Sequence, residues 1–226
     1  MILSETIIGG DHFCTNCLIK EGENYRQIRL RSAGNNHLAY HMLPSQARRH
    51  WKMGQVIILP PFKKPSNWFW RGTHPEDVIV EPRKIKAVNL HRDPDGDRFL
   101  GLIEPFTYQS LEALYPEHIK DGGSIYYPAD AILERSVGYV RLPSVSIRRN
   151  DWGKLRARVE ITSPRRSLSR IYDFSIVGKD LRNRVESGDI RIGSTFENVL
   201  CRLSLAGPYA QQRNQCYVML SHIHGV

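Results

Sequence analysis

Short segments in which apolar and polar residues alternate recur along this chain and constrain its fold more than any other feature. In the segment LRARVEI, residues 155–161, every second residue is apolar and the residues between them are charged. Strict alternation predicts a β-strand with one buried face, because successive side chains of a strand point to opposite sides of a sheet. The segment 199–220 repeats the pattern as a predicted hairpin, in which one apolar face consists of Val199, Cys201, Leu203, Leu205, Cys216, Val218 and Leu220.

Both halves of the chain carry several such segments, and helical patterns are few. The clearest helix candidates are residues 43–52 and the acidic stretch 108–120, which is interrupted by a proline. The segment DPDGD, 93–97, predicts a hairpin turn between two strands. About five strands per half, with one helical insertion, favour an all-β fold of two small antiparallel barrels. We predict a first barrel over 1–104, a short helical connector over 105–134 and a second barrel over 135–226.

Composition excludes several classes of protein. The chain has no run of about 18 apolar residues, so we expect no membrane span. Its first residues lack a basic region followed by an apolar run, which argues against a secretory signal. Four cysteines in 226 residues are too few and too uneven for a disulfide scaffold. We therefore expect a cytoplasmic protein.

Positive charge is concentrated in one part of the chain. The net charge is +9, and residues 135–170 carry ten Lys and Arg against two Asp and Glu. Such a local excess attracts phosphates, although exposed charge also serves solubility. The charge pattern favours an anionic polymer as partner.

Several motifs follow one another in an order that resembles a known family. They are GG-x₃-C near the start (Gly9, Gly10, Cys14), the strand with Ile28-Arg29, GQVIILPPF, His74-Pro75-Glu76-Asp77, LRARVEI, YDFSIVG and LCRLSLAGPYAQQRNQCYVML. In this order they are similar to the bacterial dual OB-fold domain family. The resemblance implies two OB-like barrels, an association with prokaryotic defence or conflict systems, and nucleic-acid binding or sensing. It implies no catalytic residues.

The basic segment predicts the main binding site. Arg dominates it, and the planar guanidinium suits phosphate oxygens. A predicted turn places Trp152 between two strands with arginines on both shoulders, where the indole can stack on a base. The alternative is that Trp152 caps the barrel and the arginines are solvated or pair with the acidic segment. The candidate residues are Arg141, Arg148, Arg149, Trp152, Lys154, Arg156, Arg158, Arg165, Arg166, Arg170 and Tyr172.

A second segment, 61–77, interleaves basic and aromatic residues. Its rings can plug a barrel, form a stacking platform for bases, or contact a protein partner, because exposed aromatic clusters usually serve binding. Its candidate residues are Lys63, Lys64, Trp68, Trp70 and Arg71.

Metal and catalytic motifs are weak. Asp11, His12, Cys14 and Cys17 include a lone CxxC, whereas structural zinc usually needs two such pairs. Residues 93–104 place acidic residues at calcium-loop spacing, but Arg98 stands where glycine is needed. No nucleophile elbow, phosphate loop or zinc-protease motif is present. We therefore predict no metal, no cofactor and no enzymatic activity. The predicted function is nucleic-acid binding, and the alternative is a protein adaptor whose basic surface meets an acidic partner.

Overall fold

The computed structural model describes residues 1–9, 12–32, 52–65, 72–81, 84–162, 169–208 and 214–226. Strands dominate these residues, which confirms the β-rich class. The described chain divides into two compact units, one made of 1–104 with 130–136 and the other of 105–129 with 137–226. Within the described residues no helix has the length and apolar character needed to cross a membrane.

Among its described residues, the first unit contains six strands and one α-helix. Its elements are β1 Ile2–Gly9, β2 His12–Glu21, β3 Asn24–Ser32, β4 Gln55–Ile58, β5 Asp77–Val80, β6 Lys86–His91 and α1 Asp97–Ile103. A four-stranded sheet has the order β1-β2-β3-β5, in which β3 and β5 are parallel, and β4 pairs with β6. Its apolar core includes Ile2, Cys17, Ile28, Leu30 and Val78.

Buried charges complete the first unit. Arg29 and Arg31 donate to the two oxygens of Asp77 at 2.5 and 3.0 Å, and all three side chains are buried. The neighbouring Glu76 carboxylate accepts from the Ser136 backbone N–H and hydroxyl, both at 2.7 Å. These charge-assisted bonds hold the segment 130–136 in the first unit, although Ser136 lies 60 residues after Glu76 in the sequence.

In the part of the chain that the structure describes, the second unit contains eight strands and two short α-helices. Its elements are β7 Thr107–Tyr108, α2 Leu111–Leu114, β8 Ile119–Asp121, β9 Ser124–Pro128, β10 Val137–Arg149, β11 Leu155–Thr162, β12 Ser169–Ile176, α3 Lys179–Glu186, β13 Thr195–Leu205 and β14 Gln215–Ile223. A one-turn 3-10 helix, Glu104–Phe106, stands at the boundary of the units in the chain.

Five strands of the second unit pair in a path that returns to its start. β10 pairs with β11, β11 with β12, β12 with β14, β14 with β13, and β13 with β10. Every pairing is antiparallel except β12 with β14. The predicted hairpin 199–220 is confirmed as β13 and β14, with Leu203 opposite Leu220 and Leu205 opposite Val218, all buried.

The helix predictions need correction. Residues 97–103 form α1 and not a strand, because Phe99 and Ile103 are one helical turn apart and both are buried. The short apolar run fits either period, so its pattern alone could not decide. The helix α3 was not predicted, although Leu181 and Val185 have the same spacing on its buried side.

The predicted connector, 105–134, is only marginally helical. Its one α-helix is the four-residue α2, and the segment also contains the short strands β7, β8 and β9. Residues 105–129 pack with the second unit and 130–134 with the first. The predicted helix 43–52 lies, apart from its last residue, outside the described residues.

Candidate nucleic-acid interface

The hairpin between β10 and β11 ends in a tightly organised turn. The Asn150 side-chain oxygen accepts from the backbone N–H groups of Trp152 at 3.2 Å and Lys154 at 2.9 Å. Gly153 adopts a φ of +71°, a backbone conformation that is strained for residues with a side chain. Its N–H donates to the Asn150 carbonyl at 2.8 Å. The sequence Asn-Asp-Trp-Gly therefore fixes the backbone of the turn through its own local bonds.

Trp152 projects from this turn and is 81% exposed. This exposure contradicts the alternative that the ring caps the protein's interior. A large apolar ring on a locally fixed backbone loses little conformational freedom when a ligand covers it. Trp152 is thus an exposed ring on a locally fixed backbone.

Cationic side chains flank the turn on both strands. Arg149 donates to the Gly153 carbonyl at 2.7 Å, which holds its guanidinium against the turn. Lys154 and Arg158 are exposed, and neither side chain forms a hydrogen bond or ion pair with another described residue. Their alternation with the buried Leu155 and Ala157 places them on the outer face of the sheet.

Strand register assembles the outer face row by row. Arg148 lies opposite Arg156, which lies opposite Ser175 on β12. In the next row Arg158 lies opposite Asp173. Arg148, Arg156, Arg158 and Asp173 therefore share the outer face, whereas Arg149 lies opposite the buried Leu155 at the turn. We call these four residues, together with Arg149, Trp152 and Lys154 at the turn, the hairpin patch.

Not every arginine of the patch is equally available. Arg156 donates to both Asp173 Oδ1 and the Asp173 carbonyl, at 3.2 and 2.7 Å, and also to the Ser175 hydroxyl. Only 18% of its side chain is exposed, against 44% for Arg148. Arg156 therefore stabilises the sheet, while Arg148 remains open to solvent on one side.

Other predicted site residues lie apart from the patch or inside the unit. Arg141 stands seven residues before Arg148 on β10, a separation of roughly 23 Å along an extended strand, and bonds the Asn198 carbonyl at 3.4 Å. Arg170 is exposed and pairs with Glu112 at 3.3 Å. Tyr172 is buried, so its ring cannot stack on a base. Burial raises the pKa of the Tyr172 phenol, and its ring packs on Phe174.

The second predicted segment is only partly described. Lys63 is exposed, and its backbone forms a bridge with Ile79. Lys64 is exposed and its ammonium donates to the Pro75 carbonyl. The remaining candidates of that segment and of the basic segment lie outside the described residues; they are Trp68, Trp70, Arg71, Arg165 and Arg166.

The cysteines of the CxxC motif have a structural role. Cys14 and Cys17 are both buried on β2, and residues three apart on a strand face opposite sides of the sheet. Cys17 belongs to the apolar core. Asp11 and the His12 side chain lie outside the described residues.

Sequence reasoning missed Asp173, the acidic member of the patch. Alternation in IYDFSI predicts that Asp173 and Ser175 lie on the polar face of a strand. The segment itself does not show which strand pairs with this one. No protein-family model matches this chain, and no curated protein matches it either. The resemblance to the dual OB-fold domain family stays a prediction.

Proposed function

We propose that this protein binds nucleic acid without catalysis, and that the hairpin patch of the second unit is the binding surface. The observation that carries the proposal is the largely exposed Trp152 on a fixed turn between cationic strands. Aromatic rings stack on bases while Arg and Lys contact the phosphate backbone, and this pairing of groups suits nucleic acids of varied sequence.

The strand connectivity supports an OB-like barrel in the second unit. Taken in chain order, β10 to β14 pair as 1-2-3-5-4-1, with the third and fifth strands parallel and α3 between the third and fourth. An OB fold is a five-stranded Greek-key barrel that binds oligonucleotides on its strand 2–3 face and adjacent loops. In this reading the hairpin patch lies on that face and on the first loop.

The first unit supports the same reading more loosely. Its sheet repeats the order 1-2-3-5 with a parallel final pair, β3 with β5. The residue before β4 is tied to β1 by a bond from the Gly54 N–H to the Ile2 carbonyl at 2.9 Å. We propose two OB-like barrels on these pairings.

Base stacking favours nucleic acid with unpaired bases. In a duplex, neighbouring base pairs cover both faces of each base, whereas a single strand or loop leaves a face free. We therefore propose a single-stranded segment of DNA or RNA as the ligand. The resemblance to a family of defence-associated proteins adds the proposal of a cytoplasmic role in a bacterial defence or DNA-transaction system.

A salt titration of oligonucleotide binding tests the function. Wild-type protein should bind a labelled single strand at low salt, with an affinity that falls steeply as salt rises. Replacing Arg149, Lys154 and Arg158 together with Ala should weaken binding and reduce the salt slope by about 0.7 per lost contact to a single strand. The control triple variant replaces three exposed cations of the first unit, Lys20, Lys86 and Arg98, and removes the same charge.

An adaptor function is the second candidate. Trp and Arg are also the residues that most often dominate protein–protein interfaces, and the patch has both. Folded wild-type protein that binds no oligonucleotide at low salt would favour this adaptor function. Equal loss of binding in the two triple variants would remove the hairpin patch as the site, since net charge alone would then explain the effect.

A further inference from the structure

Asp173 lies among the cations of the hairpin patch and contacts two of them. Its Oδ2 accepts from Arg148 Nη2 at 2.5 Å, and its Oδ1 accepts from Arg156 Nε at 3.2 Å. The Asp173 side chain is 19% exposed, so most of its surface is covered by neighbouring residues. An anionic group at this position opposes the binding of phosphates.

The carboxylate is also fixed in place. The Asp173 N–H donates to the Gly123 carbonyl at 2.7 Å, and a Cβ at Gly123 would stand only 2.9 Å from the Asp173 Cβ. Arg156 holds the same residue through its backbone carbonyl. Because these contacts hold Asp173 in place, the ion pair between Asp173 and Arg148 can open only if Arg148 moves. The Arg148 side chain is the longer and more exposed of the two.

We propose that Asp173 is a built-in competitor that occupies Arg148 until a nucleic-acid phosphate displaces it. The proposal rests on the proposed function and adds the feature that sets its affinity. In the free protein Arg148 pairs with the carboxylate. In the complex Arg148 turns to a phosphate, while Arg156 keeps its two contacts to Asp173 and its one contact to Ser175.

This arrangement limits the affinity of the site in a defined way. A phosphate that binds Arg148 must replace an existing ion pair, so the net gain is smaller than at an arginine that faces solvent alone. It also meets the remaining charge of Asp173 at short range. Arg158 has no such carboxylate bond in the described structure and should contribute more than Arg148.

The test is binding of a labelled single-stranded oligonucleotide to Asp173→Asn at one fixed low salt concentration. The affinity should rise about tenfold. Coulomb's law gives an effect of this size for unit charges roughly 6 Å apart when the effective dielectric constant lies between the values for water and for a protein surface. Glu23→Gln is the matched control, because Glu23 is exposed in the turn between β2 and β3 and its replacement changes net charge equally. It measures the effect of net charge alone, and an equal rise in affinity for the two variants would overturn the proposal.

A double-mutant cycle separates competition from a general change of field. In an Arg148→Gln background, Asp173→Asn should tighten binding less than it does in the wild-type background, because only the direct repulsion between carboxylate and phosphate is then relieved. A gain of the same size in both backgrounds overturns the proposal. So does an Asp173→Asn protein that melts cooperatively and binds no more tightly than wild type.

A second comparison avoids any dependence on the folding of the Asp173 variant. Arg148→Gln should weaken binding less than Arg158→Gln does, although Arg148 is nearer to the turn. An equal or larger loss for Arg148→Gln overturns the proposal. Absence of oligonucleotide binding by wild type removes the proposed function and this proposal together, whereas binding with unchanged affinity in Asp173→Asn removes only the competitor.

Discussion

Replacement of Trp152 by alanine separates a binding role for the ring from a structural one. The ring is 81% exposed, and the turn beneath it is held by backbone bonds to Asn150 that do not involve the indole. Exposed substitutions of this kind change stability by no more than about 0.5 kcal/mol. A stacked base, in contrast, contributes about 1–3 kcal/mol by alanine substitution.

The expected result is therefore a large change in binding with almost none in stability. A loss of 1–3 kcal/mol corresponds to a Kd raised roughly 5- to 150-fold. The slope of log affinity against log salt should stay the same, because no charge is removed. Trp152→Phe keeps an aromatic face and should recover much of the affinity.

Two measurements on the same protein samples check this prediction. Fluorescence anisotropy of a labelled single strand gives the Kd over a range of salt, and a thermal melt reports stability. Ile132→Ala is a suitable control, because Ile132 is a 90% exposed apolar residue of the first unit. Unchanged oligonucleotide affinity in Trp152→Ala would refute the stacking argument. A clear fall in melting temperature with normal affinity would assign the ring to the fold.

Three further predictions concern the patch, a buried carboxylate and the thiols. Arg156→Ala should lower the free energy of unfolding by about 1–3 kcal/mol in urea denaturation, because it leaves the Asp173 carboxylate without its main partner; Arg158→Ala should leave stability unchanged, and equal losses would contradict the distinction. Burial raises the pKa of Glu76, so the folded state binds its proton more tightly; its contribution to stability should fall as pH rises above about 4.5, and Glu76→Gln should remove that part of the slope in denaturation curves. An identical pH slope in the variant would show that Glu76 does not titrate in this way. Burial also raises the pKa of the Cys201 thiol, and the structure buries all four cysteines, Cys14, Cys17, Cys201 and Cys216. Native protein should therefore react with Ellman's reagent only on unfolding. A rapid reaction of the native protein would show that one of the four thiols is accessible.

The sequence by itself determined the strands whose two faces differ. LRARVEI alternates between apolar and charged residues, and Leu155, Ala157 and Val159 are buried as the pattern predicts. The turn was equally readable, because Asn150 and Gly153 act through bonds that span only four residues. Local chemistry of this kind needs no distant partner.

Tertiary structure decided between helix and strand in segments whose pattern of apolar residues fits both. The run around Phe99 and Leu100 is apolar throughout, so strand and helix were both compatible with it, and burial of Phe99 and Ile103 on one side selected the helix. Tyr172 shows the same limit for the site. Its position beside basic residues suggested a binding role, yet strand alternation and packing against Phe174 placed it in the interior.

The composition of the hairpin patch could be predicted only in part. The sequence placed its arginines and Trp152 on one hairpin, because they lie within twelve residues of one another. It could not pair Asp173 with Arg148 and Arg156, since that contact depends on the register between β11 and β12. Register is set by which faces are buried together across the whole sheet, a property that no single segment encodes.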